Sequence, residues 1–361
     1  MIRFAVVLRR GGLSAVIGLL SACAVIPRDP RYAGPITPPA TVAQYYAYSS
    51  AAPYRSFSAQ VVTEKGKYVH KRILIDTEYG QITVDHYERR DPTENLIFVF
   101  PILGGKHLVE GYFAKYFANR GFDTAIVHRD KDFKRPEMFD SLEQVFRNNV
   151  IRDRIAIDFF ERERGKRKFG SFGISRGAIN AASTAGIEPR LKFNVFALGA
   201  SHLVDVFKRT DVRGVEKYRN NVKELKNISD EQFYAMLQDG LKTDPRYLAP
   251  YIDARNTLLI LSAFDHAVPI KYGMKLRREL GTPKTIFLAS GHYTALLYTQ
   301  FIKLLPPSET ICIFPFDFVE SESLRFYNEA FDTKRVDFFH LPLVILQLPF
   351  LLLGKLYYAL F

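Results

Sequence analysis

Residues 168–183 read KFGSFGISRGAINAAS. The first half is a short apolar strand and the second a helix of small residues. Between them Gly173-Ile174-Ser175-Arg176-Gly177 has the form G-x-S-x-G. A strand that turns this sharply into a helix puts the central serine at the apex, commonly in a strained backbone conformation. Its hydroxyl then stands at the C-terminal edge of a sheet, at the positive end of a helix. The glycines are needed because side chains there would collide with the neighbouring strand and helix. After the turn, Ala178-Ile179-Asn180-Ala181-Ala182 is small enough to let the helix lie close on the sheet.

On either side of this turn the chain alternates strand and helix. Residues 56–86 carry alternating and β-branched runs, as antiparallel strands do. Leu96–Phe100 is continuously apolar, the mark of a strand buried on both faces, and ends in Pro101-Ile102-Leu103-Gly104-Gly105. A helix over 108–120 and a strand over 122–127 complete a parallel βαβ unit. Apolar periodicity predicts a helix over 138–160, and the basic run 162–168 reads as a solvated connection. A strand is expected at 193–198. Residues 202–254 then break the alternation with a charged helical stretch that includes a capping box at Ser229 and Gln232. Inserted between two strands, it would cover the strand ends as a cap. A strand at 257–261 leads to Asp265 and His266, a helix follows over 271–280, and a strand at 285–288 leads to Gly291-His292.

Three polar groups thus follow three expected parallel strands in the order Ser175, Asp265, His292. On these motifs the chain from about Leu96 to about Leu304 resembles the α/β-hydrolase superfamily, esterases and lipases in particular. The resemblance implies an α/β fold with a mostly parallel central sheet, flanking helices, and a helical cap inserted before the Asp-bearing strand. It also implies a serine hydrolase that cleaves carboxylic esters through an acyl-enzyme; the aromatic-rich chain and the expected membrane anchor suggest lipophilic acyl esters above all. Ser175 would be the nucleophile, His292 its base and Asp265 the acid that orients the imidazole. Two backbone N–H groups would hold the oxyanion, one from Arg176 and the other from Ile102 or Leu103. Many relatives carry His-Gly where this chain has Pro101-Ile102, and a proline cannot donate. Asp205, after the preceding strand, is an alternative acid, and His266 an alternative base. The same triad would serve a peptidase or amidase, and a non-catalytic envelope lipoprotein could keep the scaffold.

The chain has 361 residues, 47% hydrophobic, with 30 Phe and 20 Tyr, ample for a sizeable core. The formal charge is +12, but no block of Lys and Arg interleaved with aromatics stands out, so no nucleic-acid partner is expected. Cys23 and Cys312 are too far apart in role and sequence to suggest a disulfide framework. The remaining histidines are scattered without ligand spacing, so neither a metal nor a cofactor is expected.

The N-terminal 1–22 has three arginines and an apolar run, the layout of a secretory signal peptide. Its end, Leu20-Ser21-Ala22-Cys23, resembles the lipobox of bacterial lipoproteins, which implies cleavage before Cys23 and acylation of that cysteine. With Ala24 next, the resemblance implies a lipid-anchored protein of the outer membrane facing the periplasm. Proline-rich residues 23–55 read as a tether, with an arm packed on the domain as the alternative. The hydrolase domain is expected over 56–304 with its cap at about 202–254, and a C-terminal extension over 305–361. That extension ends in an apolar run from Phe338, interrupted by Pro342 and Pro349. It reads as packed on the domain or lying on a membrane in preference to spanning one.

Overall fold

Apolar runs buried on both faces need a layer on each side, and the computed structural model supplies them. It describes residues 24–103, 107–130, 132–301 and 317–333, with Leu352 and Tyr358 beyond. The strands are β1 (Ala24–Ile26), β2 (Ser56–Glu64), β3 (Tyr68–Asp76), β4 (Ile82–Arg89), β5 (Asn95–Phe100), β6 (Asp123–Val127), β7 (Lys168–Ile174), β8 (Leu191–Ala197), β9 (Thr257–Ser262) and β10 (Lys284–Leu288). They form one sheet in the order β1-β10-β9-β8-β7-β5-β6-β4-β3-β2. From β10 to β6 the neighbours are parallel, whereas β1 joins one edge and β4, β3 and β2 the other in antiparallel pairing.

Residues alternate between two cores because side chains on a strand point to opposite faces. Ile97 and Val99 enter one core with Phe113, Phe117 and Tyr327. Leu96, Phe98 and Phe100 enter the other with Ile155, Phe159, Ala178 and Ala182. Helices Leu108–Ala118 and Phe318–Ala330 cover the first face; Leu142–Arg164, Arg176–Ala185 and Ile270–Glu279 cover the second. This is the α/β-hydrolase fold, and the parallel strands from β5 to β10 begin and end within two residues of those expected, whereas β3 and β4 run longer and β1 is an addition.

Between β8 and β9 come Leu203–Arg209, Arg213–Lys226, Asp230–Gly240 and the short Pro245–Leu248. Phe233 and Leu237 of this insertion bury against Phe139, Leu142 and Phe146. Its capping box at Ser229 and Gln232 has both reciprocal hydrogen bonds. Asp244 ties the insertion down, accepting from the backbone N–H groups of His202, Leu203 and Arg246.

Two boundaries differ from the sequence reading. The stretch expected as a tether lies along the domain from Ala24 onward. Its β1 pairs with β10, Tyr46 is buried with its hydroxyl 3.0 Å from Thr243 Oγ1, and Tyr48 donates to Asp158 at 2.7 Å. Apart from β1 and the short helix Ala40–Tyr45 the prolines leave it irregular, and the intervening tyrosines carry enough apolar area to dock it. At the other end, helix Phe318–Ala330 belongs to the core although the domain was expected to stop at 304. Tyr327 is fully buried and donates to the Ser171 carbonyl at 2.6 Å. Buried Glu320 and Glu322 hid the helix's inward face from a hydrophobicity pattern. The leader through Cys23, as well as Cys312, lies outside the described residues. So does the apolar run, apart from Leu352 and Tyr358; Arg277 donates to the Tyr358 hydroxyl at 2.7 Å. Among the described residues no helix is long and apolar enough to cross a membrane.

Glu320 gives the fold a pH dependence. One carboxyl oxygen accepts from Tyr112 Oη at 2.7 Å and Gln300 N at 2.8 Å, and the other is buried without a partner among the described residues. Burial pushes this carboxyl up to about 7, above its ordinary 4.5. The folded state therefore holds the proton more tightly than the unfolded one. The contribution is full below the unfolded value and is lost as pH rises through about 7. Denaturant melts at pH 5 and pH 8 should show Glu320→Gln flattening the wild-type loss by about 3 kcal/mol. Parallel pH profiles for the two proteins would refute this.

Candidate active site

The elbow closes as its residue types require. Ser175 has φ 56° and ψ −123°, a sparsely populated region held in place by Ser175 N donating to Ala197 O at 2.8 Å. A Cβ at Gly173 would overlap the Gly177 carbonyl, and one at Gly177 would overlap Phe100 O. Both glycines are therefore demanded by the crossing of strand and helix.

His292 stands after β10 and reaches both partners. Its Nε2 is 2.9 Å from Ser175 Oγ, and its Nδ1 is 2.7 Å from Asp265 Oδ2. The other oxygen of Asp265 accepts from Val268 N at 2.7 Å, and the carboxylate is buried. That bond fixes the acid's rotamer, and the acid in turn selects the imidazole tautomer with the proton on Nδ1. Nε2 is left as acceptor for the serine proton. The alternative partners lie elsewhere: Asp205 pairs with Lys275 at 3.5 Å, and His266 is exposed.

Of the two expected loop donors, Ile102 is engaged. Its N–H donates to a carboxyl oxygen of Glu110, a buried side chain on the following helix. Serving an oxyanion would require the Ile102 N–H to give up this bond, which favours Leu103 of the two expected positions. The Leu103 N–H donates to no described group, and Leu103 O accepts from Lys134 Nζ at 2.6 Å. Glu110 and Lys134 thus hold the loop from opposite ends. Sequence reasoning missed both because each looks like an ordinary helix or surface charge. Arg176 N is the first N–H of the helix after the nucleophile, at the positive end of the helix dipole.

Two apolar cavities meet at Ser175. One, about 290 Å³, lies under the cap between Phe133, Phe146, Ile179, Phe207 and Val215. The other, about 420 Å³, lies toward β10 between Ile174, Leu198, Leu288, Leu296 and Val319. Leu103, Lys134 and Val212 border both. Tyr293, which borders the second cavity, and Phe264, sequence neighbours of His292 and Asp265, are 66% and 65% exposed. Four of the scattered histidines have carboxylate partners of their own: His70 and His128 at Asp85, His86 at Asp123, His202 at Glu279. Among the described residues no group of three or more His, Cys, Asp or Glu could hold a metal ion.

No protein-family model matches the chain, and no curated protein is similar to it in sequence. Solved structures do resemble it. An acetyl xylan esterase from Paenibacillus sp. R4 is 17% identical with a TM-score of 0.55, over 73% of this chain and 92% of that one. Acetyl xylan esterase 1 from Thermoanaerobacterium sp. JW/SL YS485 is 14% identical with a TM-score of 0.53, over 76% and 96%. An acylaminoacyl peptidase from Pyrococcus horikoshii is 14% identical with the same TM-score of 0.53, over 76% of this chain and 43% of that one. At such identities the likeness concerns the fold, and the fold is that of the α/β-hydrolases.

Proposed function

We propose that the protein is a serine hydrolase acting on carboxylic esters with an apolar body. The observation that carries this reading is the continuous hydrogen-bonded run Ser175–His292–Asp265, beginning at a strained elbow serine. Ser175 Oγ attacks the ester carbonyl while its proton passes to His292 Nε2. The imidazolium that forms is stabilised by Asp265. Negative charge on the carbonyl oxygen is met by the N–H groups of Arg176 and Leu103. The intermediate collapses to an acyl-enzyme, and the leaving alkoxide takes the proton from His292. Water then repeats the sequence with His292 as base, releasing the acid and restoring the serine hydroxyl.

Two apolar cavities at one nucleophile suit an ester whose acyl and alcohol sides are both lipophilic, and the exposed Phe264 and Tyr293 suit contact with a lipid surface. The test is labelling by a fluorophosphonate together with turnover of p-nitrophenyl esters of increasing chain length. Equal labelling of wild type and Ser175→Ala would remove the assignment. Matched anilides measure amide cleavage on the same scale.

We further propose that Cys23 is acylated and anchors the protein in the outer membrane. The support is the sequence Leu20-Ser21-Ala22-Cys23. Because β1 begins at Ala24, such an anchor would leave one peptide bond between lipid and sheet edge. An alkyne-tagged palmitate fed to expressing bacteria should label the wild type and not Cys23→Ser; label retained in the variant would reject the anchor.

A further inference from the structure

The cavity under the cap is mostly apolar; its polar lining is two cations, Arg176 and Lys134, and the hydroxyls of Ser175, Thr210 and Tyr218, and no described carboxylate lines it. Lys134 is bonded to Leu103 O. Arg176 is different. Its guanidinium carbon lies 4.3 Å from the ring centroid of Phe146 and 5.1 Å from that of Phe133, both walls of the same cavity. Its Nε is buried and bonded to nothing, and no described acid pairs with the group. The adjacent charge is a second cation, Arg129, which has already taken Asp153 at 2.7 Å to each oxygen.

Burial and Arg129 push Arg176 down to about 10, so it stays charged at neutral pH. The two phenyl rings offset part of the cost of an unpaired, half-buried cation, but they leave its buried Nε–H without an acceptor. Tyr218 stands in the same wall with its hydroxyl buried and unbonded. Its phenol is raised to about 12, chiefly by burial, and remains a donor. One charged fork and one hydroxyl, both without acceptors, call for a planar anionic acceptor.

We propose that the cavity under the cap receives an anionic end of the ester, a carboxylate in the simplest case, with Arg176 as its counter-charge and Tyr218 as a second donor. This rests on the esterase reading above. It makes the substrate a half-ester or other acidic ester: apolar along its length, charged at the tip that enters under the cap.

The test uses two substrate pairs. In the first the acid is on the acyl side: p-nitrophenyl hydrogen adipate against p-nitrophenyl methyl adipate, read by nitrophenolate release. In the second it is on the alcohol side: 6-acetoxyhexanoate against its methyl ester, read by acetate release. Wild type should prefer the acidic member of one pair by about tenfold or more in kcat/KM. Arg176→Met should erase that preference, Arg176→Lys should keep part of it, and Tyr218→Phe should reduce it. Both members of a pair share the nucleophile and oxyanion donors, so their ratio cancels any general loss from changing a residue beside Ser175. Wild type that cleaves neutral esters without acid preference in either pair overturns the proposal and leaves the esterase reading standing. So does a preference that survives Arg176→Met. A wild type inert to all four and unlabelled by fluorophosphonate removes both.

Discussion

Ser175→Ala is expected to lower kcat on p-nitrophenyl esters by roughly 10⁴-fold or more, with fluorophosphonate labelling lost altogether. The reason is chemical: without Oγ no acyl-enzyme forms, and the two backbone donors can only polarise the carbonyl toward water. His292→Ala should cost a similar factor, because a neutral serine hydroxyl is a poor nucleophile. The double variant should be little worse than either single one, since the pair acts as a unit. Folding should be untouched by Ser175→Ala. Alanine keeps the Cβ and hence the strain of φ 56°. Ser175→Gly removes it and should stabilise by about 1 kcal/mol. Thermal melts beside the kinetics separate these effects. Ser175→Ala retaining activity within tenfold of wild type would end the nucleophile assignment.

Gly177→Ala should be among the most damaging conservative changes at the described residues. The added methyl would overlap a backbone oxygen, Phe100 O, rather than the movable end of a side chain. Strand β5 is central, with partners on both sides, so it cannot step aside. Helix Arg176–Ala185 must lift instead, opening a gap above Ala178 and Ala182 in the second core and dragging Ser175 from His292. A loss of about 3 kcal/mol is expected, seen as a shift in the denaturant midpoint, with ester turnover reduced beyond what stability explains. A control is Gly240→Ala, at the end of a cap helix, where a Cβ meets nothing within 4 Å. That variant should melt within about 1 kcal/mol of wild type. Equal melts for the two alanine variants would mean that the elbow tolerates a side chain.

Much of this was legible in the residues. The strands were readable because runs such as Leu96–Phe100 and Thr257–Leu261 are apolar without interruption, and only a strand covered on both faces uses such a run. The elbow was readable because glycine at two fixed offsets from a serine is a local steric requirement. Less legible were features whose cause lies far along the chain. Residues 24–55 look like a tether by composition, yet Tyr46 and Tyr48 meet Thr243 and Asp158 across more than a hundred residues. Helix Phe318–Ala330 was hidden because two of its inward positions are glutamates, and their partners Tyr112 and Lys284 lie far away along the chain.

The order of strand and helix, the place of the sharp turn, and the three residue types at the strand ends can be read along the chain, because they follow from short-range sterics and periodicity. Folding was needed to reveal which carboxylate meets His292, that the Ile102 N–H is engaged by Glu110, and that Arg176 lines a mostly apolar cavity with no described counter-ion. Those facts depend on distances between segments brought together by the sheet, and hydrogen bonds and charges act over a few ångströms of space whatever the separation along the chain.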